Sequence, residues 1–284
     1  MSAERPSLTE MLDIEVTIDV VDIGANPIAS AGRPPYQDLL EAGKAHLVGF
    51  EPNAEALAEL QAQKREKETY LPYAVYDGTE QELKICKASG MTSLLEPDPV
   101  VLNCFHGFDE WAKVVDRETI QTVRLDDVAE IDNLDFLKID IQGAELEVFR
   151  NGVAKLTDCL VIQSEVEFMA MYENQPLFSD VDLFLRERGF VLHRFTDQTS
   201  RVVKPLIVDS NPYAGLSQLL WADAIFIRDF TRFDLLSPEQ LLKIAFILHD
   251  VYSSFDVALR ALLTRDAMLG TRFGEAYLRK LERH

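Results

Sequence analysis

Short β-branched runs that end in small polar clusters recur along this chain, with helical segments between them. That alternation is the strongest constraint on its fold. Val16-Thr17-Ile18-Asp19-Val20-Val21-Asp22-Ile23 reads as a buried strand and stops at the turn Gly24-Ala25-Asn26-Pro27. Pro34-Pro35 opens a helix over Tyr36–Ala42, which Gly43 closes. Ala45–Phe50 is a second strand, ending in Glu51-Pro52-Asn53, and Asn53 is placed to cap a helix over Ala54–Gln63. Tyr70–Val75 reads as a third strand. Strand, helix, strand, helix, strand is the signature of a doubly wound α/β domain with a parallel sheet.

Residues 76–124 are less regular. Leu83–Lys87 alternates like an edge strand, Met91–Pro99 is loop-like, Gly107–Val115 suits a short helix, and Ile120–Leu125 suits another strand. The pattern then resumes with a strand at Phe136–Ile141, a helix at Ala144–Arg150, a strand at Cys159–Val166 and an amphipathic helix at Phe178–Arg188. Phe190–Phe195 and Ala222–Arg228 read as the last two strands. From Ser237-Pro238 onward the signal is helical, with further helices expected over Phe255–Leu269 and from Phe273 to the end. No repeat of 20–50 residues interrupts this reading. The expected division is an α/β domain over residues 1–230 and a helical extension over 231–284 of the 284.

Three strand ends carry candidate chemistry, because open α/β sheets bind ligands in the crevice at the carboxyl ends of their strands. At Asp22-Ile23-Gly24-Ala25-Asn26 a glycine lets the backbone approach a ligand and a carboxylate can accept from an amino group. Glu51, ending the second strand, can take both hydroxyls of a ribose. Asp140-Ile141-Gln142-Gly143-Ala144-Glu145 is the third. Neither Gly-x-Gly-x-x-Gly nor a kinase-type phosphate loop is present, which disfavours a dinucleotide or a nucleoside triphosphate.

These residues resemble the signature segments of the FkbM-type S-adenosylmethionine-dependent methyltransferases. The likeness is carried by Val20–Asn26, Gly49–Asn53 and Leu137–Glu145, and later by Thr92–Pro97, Arg124–Asp127, Ser164–Phe168, Tyr172, Gln175–Phe178 and Arg188–Phe190. The resemblance implies a class I methyltransferase fold with a seven-stranded, mostly parallel, Rossmann-like sheet. It also implies that Asp22, Gly24 and Asn26 lie by the methionine part of S-adenosylmethionine, that Glu51 holds the ribose, that Asn53 lies beside the adenosine, that Val75 and Asp77 lie near the adenine, and that Asp140 lies by the methyl group. Pro27-Ile28 stand where the family carries its next glycine, and Ala29–Pro35 lengthen that loop.

Methyl transfer is an in-line displacement that needs alignment, and a hydroxyl acceptor also needs a base. The candidate bases are Asp140, Glu165, Glu167 and His193, with Glu165 and Glu167 on one strand face. Mg²⁺ held by Asp140, Glu165 and Glu167 is the competing reading of the carboxylates and is not favoured; no metal site is expected. The resemblance implies O-methylation of a small molecule, sugar or lipid-linked glycan. The alternatives are an N- or protein methyltransferase of the same fold, or a non-catalytic nucleoside-binding or assembly module.

Charge narrows the partners. With 28 Lys+Arg against 48 Asp+Glu the net charge is −20, which disfavours nucleic acid, anionic membranes and strongly anionic acceptors. The last 25 residues hold six Lys/Arg and three Asp/Glu, so this tail suits an acidic partner, including a second copy as a homodimer through the C-terminal helices. Three unpaired-looking cysteines (Cys86, Cys104, Cys159), a polar start and no long apolar run lead to the expectation of a cytoplasmic protein with no membrane span.

Overall fold

The computed structural model describes residues 6–25 and 33–282. Asn26, Pro27 and Ile28, discussed above, lie outside the described residues. The main sheet begins with β1 (Ile18–Ile23), β2 (Ala45–Phe50) and β3 (Glu68–Leu71), which pair in parallel. β7 (Phe136–Ile139) pairs with β1 and β8 (Val161–Glu167) pairs with β7, again in parallel. β10 (Gln218–Arg228) runs antiparallel to β8, and β9 (Phe190–Arg201) lies antiparallel to β10 at the edge. The order is β3-β2-β1-β7-β8-β10-β9, seven strands of which only β10 is reversed.

The expected strand Tyr70–Val75 divides in two. Pro72 has no N–H for a ladder and holds Leu71 extended, so β3 ends there. The chain re-enters as β4 (Ala74–Tyr76), which joins β5 (Glu80–Cys86) and β6 (Val114–Arg124) in a separate three-stranded sheet of order β4-β6-β5. β6 is far longer than the strand expected at Ile120–Leu125, because most of it is an exposed hairpin arm with no apolar face to read. β9 and β10 also run past their expected ends. Short helices α4 (Pro99–Leu102) and α5 (Phe108–Trp111) lie between β5 and β6.

Period-two alternation divides the main sheet into two cores. On one face Ile18, Val20, Leu47, Phe136, Val161 and Ile225 pack under α1 (Leu8–Leu12), α2 (Gln37–Glu41) and the tail helices α9 (Pro238–Asp250), α10 (Phe255–Leu269) and α11 (Phe273–Leu281). On the other, Val21, Ile23, Leu137, Ile139, Ile162 and Phe226 pack under α6 (Glu145–Arg150), α7 (Val153–Leu156) and α8 (Phe178–Arg186). α3 (Ala54–Gln63) lies between β2 and β3 and buries no residue fully.

The tail shares the first of these cores. Leu241, Ile244, Phe246, Ile247 and Leu248 of α9 are fully buried in it. Ser237 and Gln240 form a reciprocal capping box at the start of α9. His249 Nδ1 meets Tyr277 Oη at 2.7 Å, tying α9 to α11. Among the described residues no helix is long and apolar enough to cross a membrane.

Candidate active site

Asp22, Lys138 and Gln163 stand side by side on β1, β7 and β8 and point to the face that carries the tail. Asp22 is buried. Its Oδ2 accepts a hydrogen bond from Tyr36 Oη, and Lys138 Nζ lies 3.4 Å from its Oδ1, an ion-pair distance without hydrogen-bond alignment. Oδ1 has no hydrogen-bond partner among the described residues. Burial works to discharge Lys138, but Asp22, Asp140 and Asp223 around it prevail and hold its pKa above the ordinary lysine value.

Just past β1, Gly24 adopts φ +85°, and a Cβ there would sit 2.1 Å from the Asp140 carbonyl oxygen. Only glycine lets the ends of β1 and β7 lie this close. Glu51, 4% exposed, accepts from the Asn53 backbone N–H at 2.8 Å with Oε1. Burial pushes its pKa up, partly offset by that hydrogen bond, and Asp22 adds to the rise. Asn53 caps α3 as expected, its Oδ1 accepting from the N–H groups of Glu55 and Ala56 at 3.0 Å each. Val75 is buried in β4. Asp77 organises the following turn, accepting from Thr79, Gln81 and Thr122. Partial burial opposes its ionisation, and these hydrogen bonds win and lower its pKa.

At the carboxyl ends of β7 and β8, Gln142 joins two of the expected acids. Its Nε2 donates to Asp140 Oδ1 at 2.8 Å and to Glu165 Oε2 at 3.1 Å. Gln142 itself has φ +59°, and its carbonyl accepts from Ser93 Oγ at 2.8 Å. Glu145 Oε1 accepts from the N–H groups of Ile141 and Gly143, which fixes the same turn. The pKa of Glu165 lies well above the ordinary carboxylate value, first because of burial and then because Asp140, Glu167, Glu145 and Asp223 crowd it. Burial raises that of Glu167 as well, with Glu145 and Asp140 adding to it. Next to them Asp223 Oδ2 accepts from Gln163 Nε2 at 2.6 Å, and Tyr252 Oη donates to Gln163 Oε1 at 2.9 Å.

These groups border a cavity of about 940 Å³ between the sheet, the 33–37 segment and the α9–α10 connection. Asp22, Gly24, Asp140 and Glu165 line it; Glu51, Asn53, Val75, Asp77 and Glu167 do not. His193 stands apart as well: it is the extra residue where β9 shifts register against β10, and its Nε2 meets Ser254 Oγ at 2.7 Å. Among the described residues no group of three or more His, Cys, Asp or Glu is arranged to hold a metal ion.

Among the lining residues that escaped the sequence reading as site residues are Tyr36, Lys138, Gln163, Asp223 and Tyr252. Lys138 had a usable signal, since a lysine in a buried strand two residues before Asp140 shares its face and needs an acidic partner. The others meet the site only through long-range packing.

The family model of the FkbM methyltransferase domain matches residues 22–192. No curated protein matches the chain. Among solved structures it is similar to magnesium protoporphyrin IX methyltransferase from Synechocystis with bound SAM, at 12% identity over 78% of this chain and 74% of that one, TM-score 0.38. It is similar to a protein in the NADB-Rossmann superfamily from Streptococcus agalactiae, at 12% identity over 92% and 95%, TM-score 0.37. It is also similar to the 23S rRNA methyltransferase ErmE, at 11% identity over 97% and 94%, TM-score 0.33. Identities of this order do not carry function between chains. The family match spans more than half of the sequence and contains all three strand ends described above: this chain, with its class I methyltransferase sheet, belongs to the FkbM methyltransferase family.

Proposed function

We propose that the protein is an S-adenosylmethionine-dependent methyltransferase that methylates oxygen on a small molecule, sugar or lipid-linked glycan. The observation that carries this reading is the pair Asp140 and Glu165, joined by the Gln142 amide and both lining the cavity that Asp22 and Gly24 of the neighbouring β1 end also line.

The residues present fit the cofactor. Asp22 Oδ1 is a buried acceptor without a hydrogen bond, held by the Lys138 ammonium at an ion-pair distance of 3.4 Å, so it keeps acceptor capacity for a second cationic donor such as an α-ammonium. Glu51 accepts from Asn53 with one oxygen and has no partner on the other among the described residues, so the carboxylate keeps acceptor capacity for the two hydroxyls of a ribose. Asp22 and Gly24, with Asn26, would hold the methionine end and Glu51 the ribose. Asn53, Val75 and Asp77 would flank the base through backbone and apolar atoms, since the carboxylate of Asp77 and the Oδ1 of Asn53 are engaged within the fold. When bound, the cofactor supplies an electrophilic methyl group on a sulfonium.

This chain's own residues then handle the proton. Glu165 takes the proton of the acceptor hydroxyl, and Asp140 keeps its position through the shared Gln142 amide. A carboxylate whose pKa is raised by burial is a stronger base than an ordinary one. Glu167, deeper in the cluster, supports Glu165 by opposing its ionisation; His193, engaged with Ser254, has no part in this route. The free thiols Cys86, Cys104 and Cys159 suit a reducing cytoplasm. Exposed Leu263, Met268, Leu269 and Leu278 on α10 and α11 support a homodimer through the tail.

Calorimetry with S-adenosylhomocysteine and a turnover assay that follows its release test the reading together. Glu165→Gln is expected to lower kcat by about 10²–10⁴-fold with unchanged S-adenosylhomocysteine affinity. A variant as active as the wild type overturns the assignment of the base.

A further inference from the structure

β9 is irregular where it passes the cavity. Thr196 pairs with Asp223, but Thr199 pairs with Trp221, so β9 carries one residue more than β10 over this stretch. Asp197, within the bulge, takes φ +48°. In a regular strand Thr196 and Thr199 would face opposite sides of the sheet. With the bulge, Thr196, Asp197 and Thr199 all line the cavity beside Trp221 and Asp223. Bulges re-aim side chains in this way next to functional sites. All five residues lie beyond residue 192, where the match to the family model ends. The cavity therefore has one wall from the matched segment and one from this chain's own β9–β10 hairpin.

We propose that the β9–β10 wall is the acceptor subsite and that it takes an uncharged polyhydroxylated ring, such as a pyranoside or a cyclitol. The proposal rests on the methyltransferase reading above and names the substrate class of that site. The two threonine hydroxyls both donate and accept, while Asp197 and Asp223 accept, which matches a ring whose hydroxyls do both. Trp221 offers a half-buried indole to the ring's C–H face. An anionic acceptor meets Asp140, Glu165, Asp197 and Asp223 in one cavity, where Lys138 is paired to Asp22, Arg33 to Asp38 and Glu41, and Arg65 to Glu41 and Glu68, leaving Arg194, which donates to the Tyr252 carbonyl, as the one lining cation without an acidic partner among the described residues. A hydrocarbon acceptor would cover the threonine hydroxyls and the Asp197 carboxylate without offering them a hydrogen bond. A cavity of about 940 Å³ lies at the upper end of the usual ligand-site range and has room for one ring beside the methionine end of the cofactor at Asp22 and Gly24.

The test uses the full chain, first titrated with S-adenosylhomocysteine and then, saturated with it, with a panel. The panel comprises methyl glycosides of glucose, mannose, galactose and fucose, myo-inositol, glucose 6-phosphate and tyramine, read by calorimetry and saturation-transfer NMR. The expected result is saturable binding of at least one neutral ring, with the phosphate weaker by about tenfold or more and the amine no tighter than the ring. Trp221→Ala and Asp223→Asn should each weaken that ring by about tenfold while S-adenosylhomocysteine affinity stays within about twofold. Thr199→Ala, a smaller change, should weaken it by about threefold and serves if Trp221→Ala does not fold. Refusal of every neutral ring, preference for the phosphate or amine, or unchanged ring binding in the variants overturns the proposal. Failure of the wild type to bind S-adenosylhomocysteine overturns the methyltransferase reading itself, and the first titration reports that separately.

Discussion

Gly24→Ala probes the geometry on which the site depends. The substitution has two separable effects. An alanine at φ +85° adopts a left-handed backbone at a cost of about 1–2 kcal/mol. Its Cβ also meets the Asp140 carbonyl oxygen at 2.1 Å, a backbone atom that no rotamer change can move. Overpacking of this kind costs a further ~1–3 kcal/mol. The total, about 2–5 kcal/mol, corresponds to a Tm loss of roughly 4–20 °C for a chain of this size. To relieve the clash the end of β1 must retreat from β7 by about 1 Å, a displacement that can cost on the order of a hundredfold in function. Gly43→Ala is the internal control, because Gly43 has φ +70° and nothing within 4 Å of the added Cβ. It should show only the backbone cost and leave ligand binding alone. Thermal denaturation and S-adenosylhomocysteine calorimetry on both variants give the comparison. Equal Tm losses and equal affinities in the two would refute the close approach of the β1 and β7 ends.

Other perturbations address separate parts of the account. Lys138→Met strands the buried Asp22 carboxylate and should cost about 3–5 kcal/mol by chemical denaturation, with Asp22→Asn added on top restoring part of it. Because the folded pKa of Glu165 is raised, its basic form appears only above the ordinary carboxylate range, so kcat/KM should climb with pH through that raised value, and a rate already flat from weakly acidic pH onward would contradict it. The raised pKa of Glu167 contributes stability that is present at acidic pH and lost as pH rises through the folded value; Glu167→Gln should flatten the fall of Tm toward alkaline pH. Truncation after Leu236 removes the five large fully buried side chains of α9, Leu241, Ile244, Phe246, Ile247 and Leu248, each contributing about 1.5–3 kcal/mol, and should abolish the near-ultraviolet circular dichroism of the folded chain.

The parallel half of the sheet was legible because each strand is a β-branched run bounded by a turn. Ala45–Phe50 and the helix after Asn53 fall where their residues place them, and Asp22, Glu51 and Asp140 fall at or just past strand ends for the same reason. Tyr70–Val75 was misread as one strand although Pro72 marked the break, a local signal that the apolar run outweighed. The bulge at Asp197 left no trace in the sequence, since an aspartate in a left-handed conformation is set by register against β10 and not by its neighbours. Gln142 bridges two acids only because its φ +59° turns it between them, and nothing in Asp140-Ile141-Gln142-Gly143 requires that. The tail's helices were readable from their apolar spacing, whereas their seat on the sheet, closing one side of the cavity through Tyr252, is a long-range fact.

In the proposed mechanism the ends of β1 and β2 hold the cofactor and present its sulfur to the acid pair at the ends of β7 and β8. A crystal structure of the chain with S-adenosylhomocysteine tests it most directly. The account predicts the ribose hydroxyls on the Glu51 carboxylate, the ammonium on Asp22 Oδ1, and the sulfur turned toward Asp140 and Glu165. A ligand bound away from Glu51, or with its sulfur turned away from Asp140 and Glu165, would contradict it.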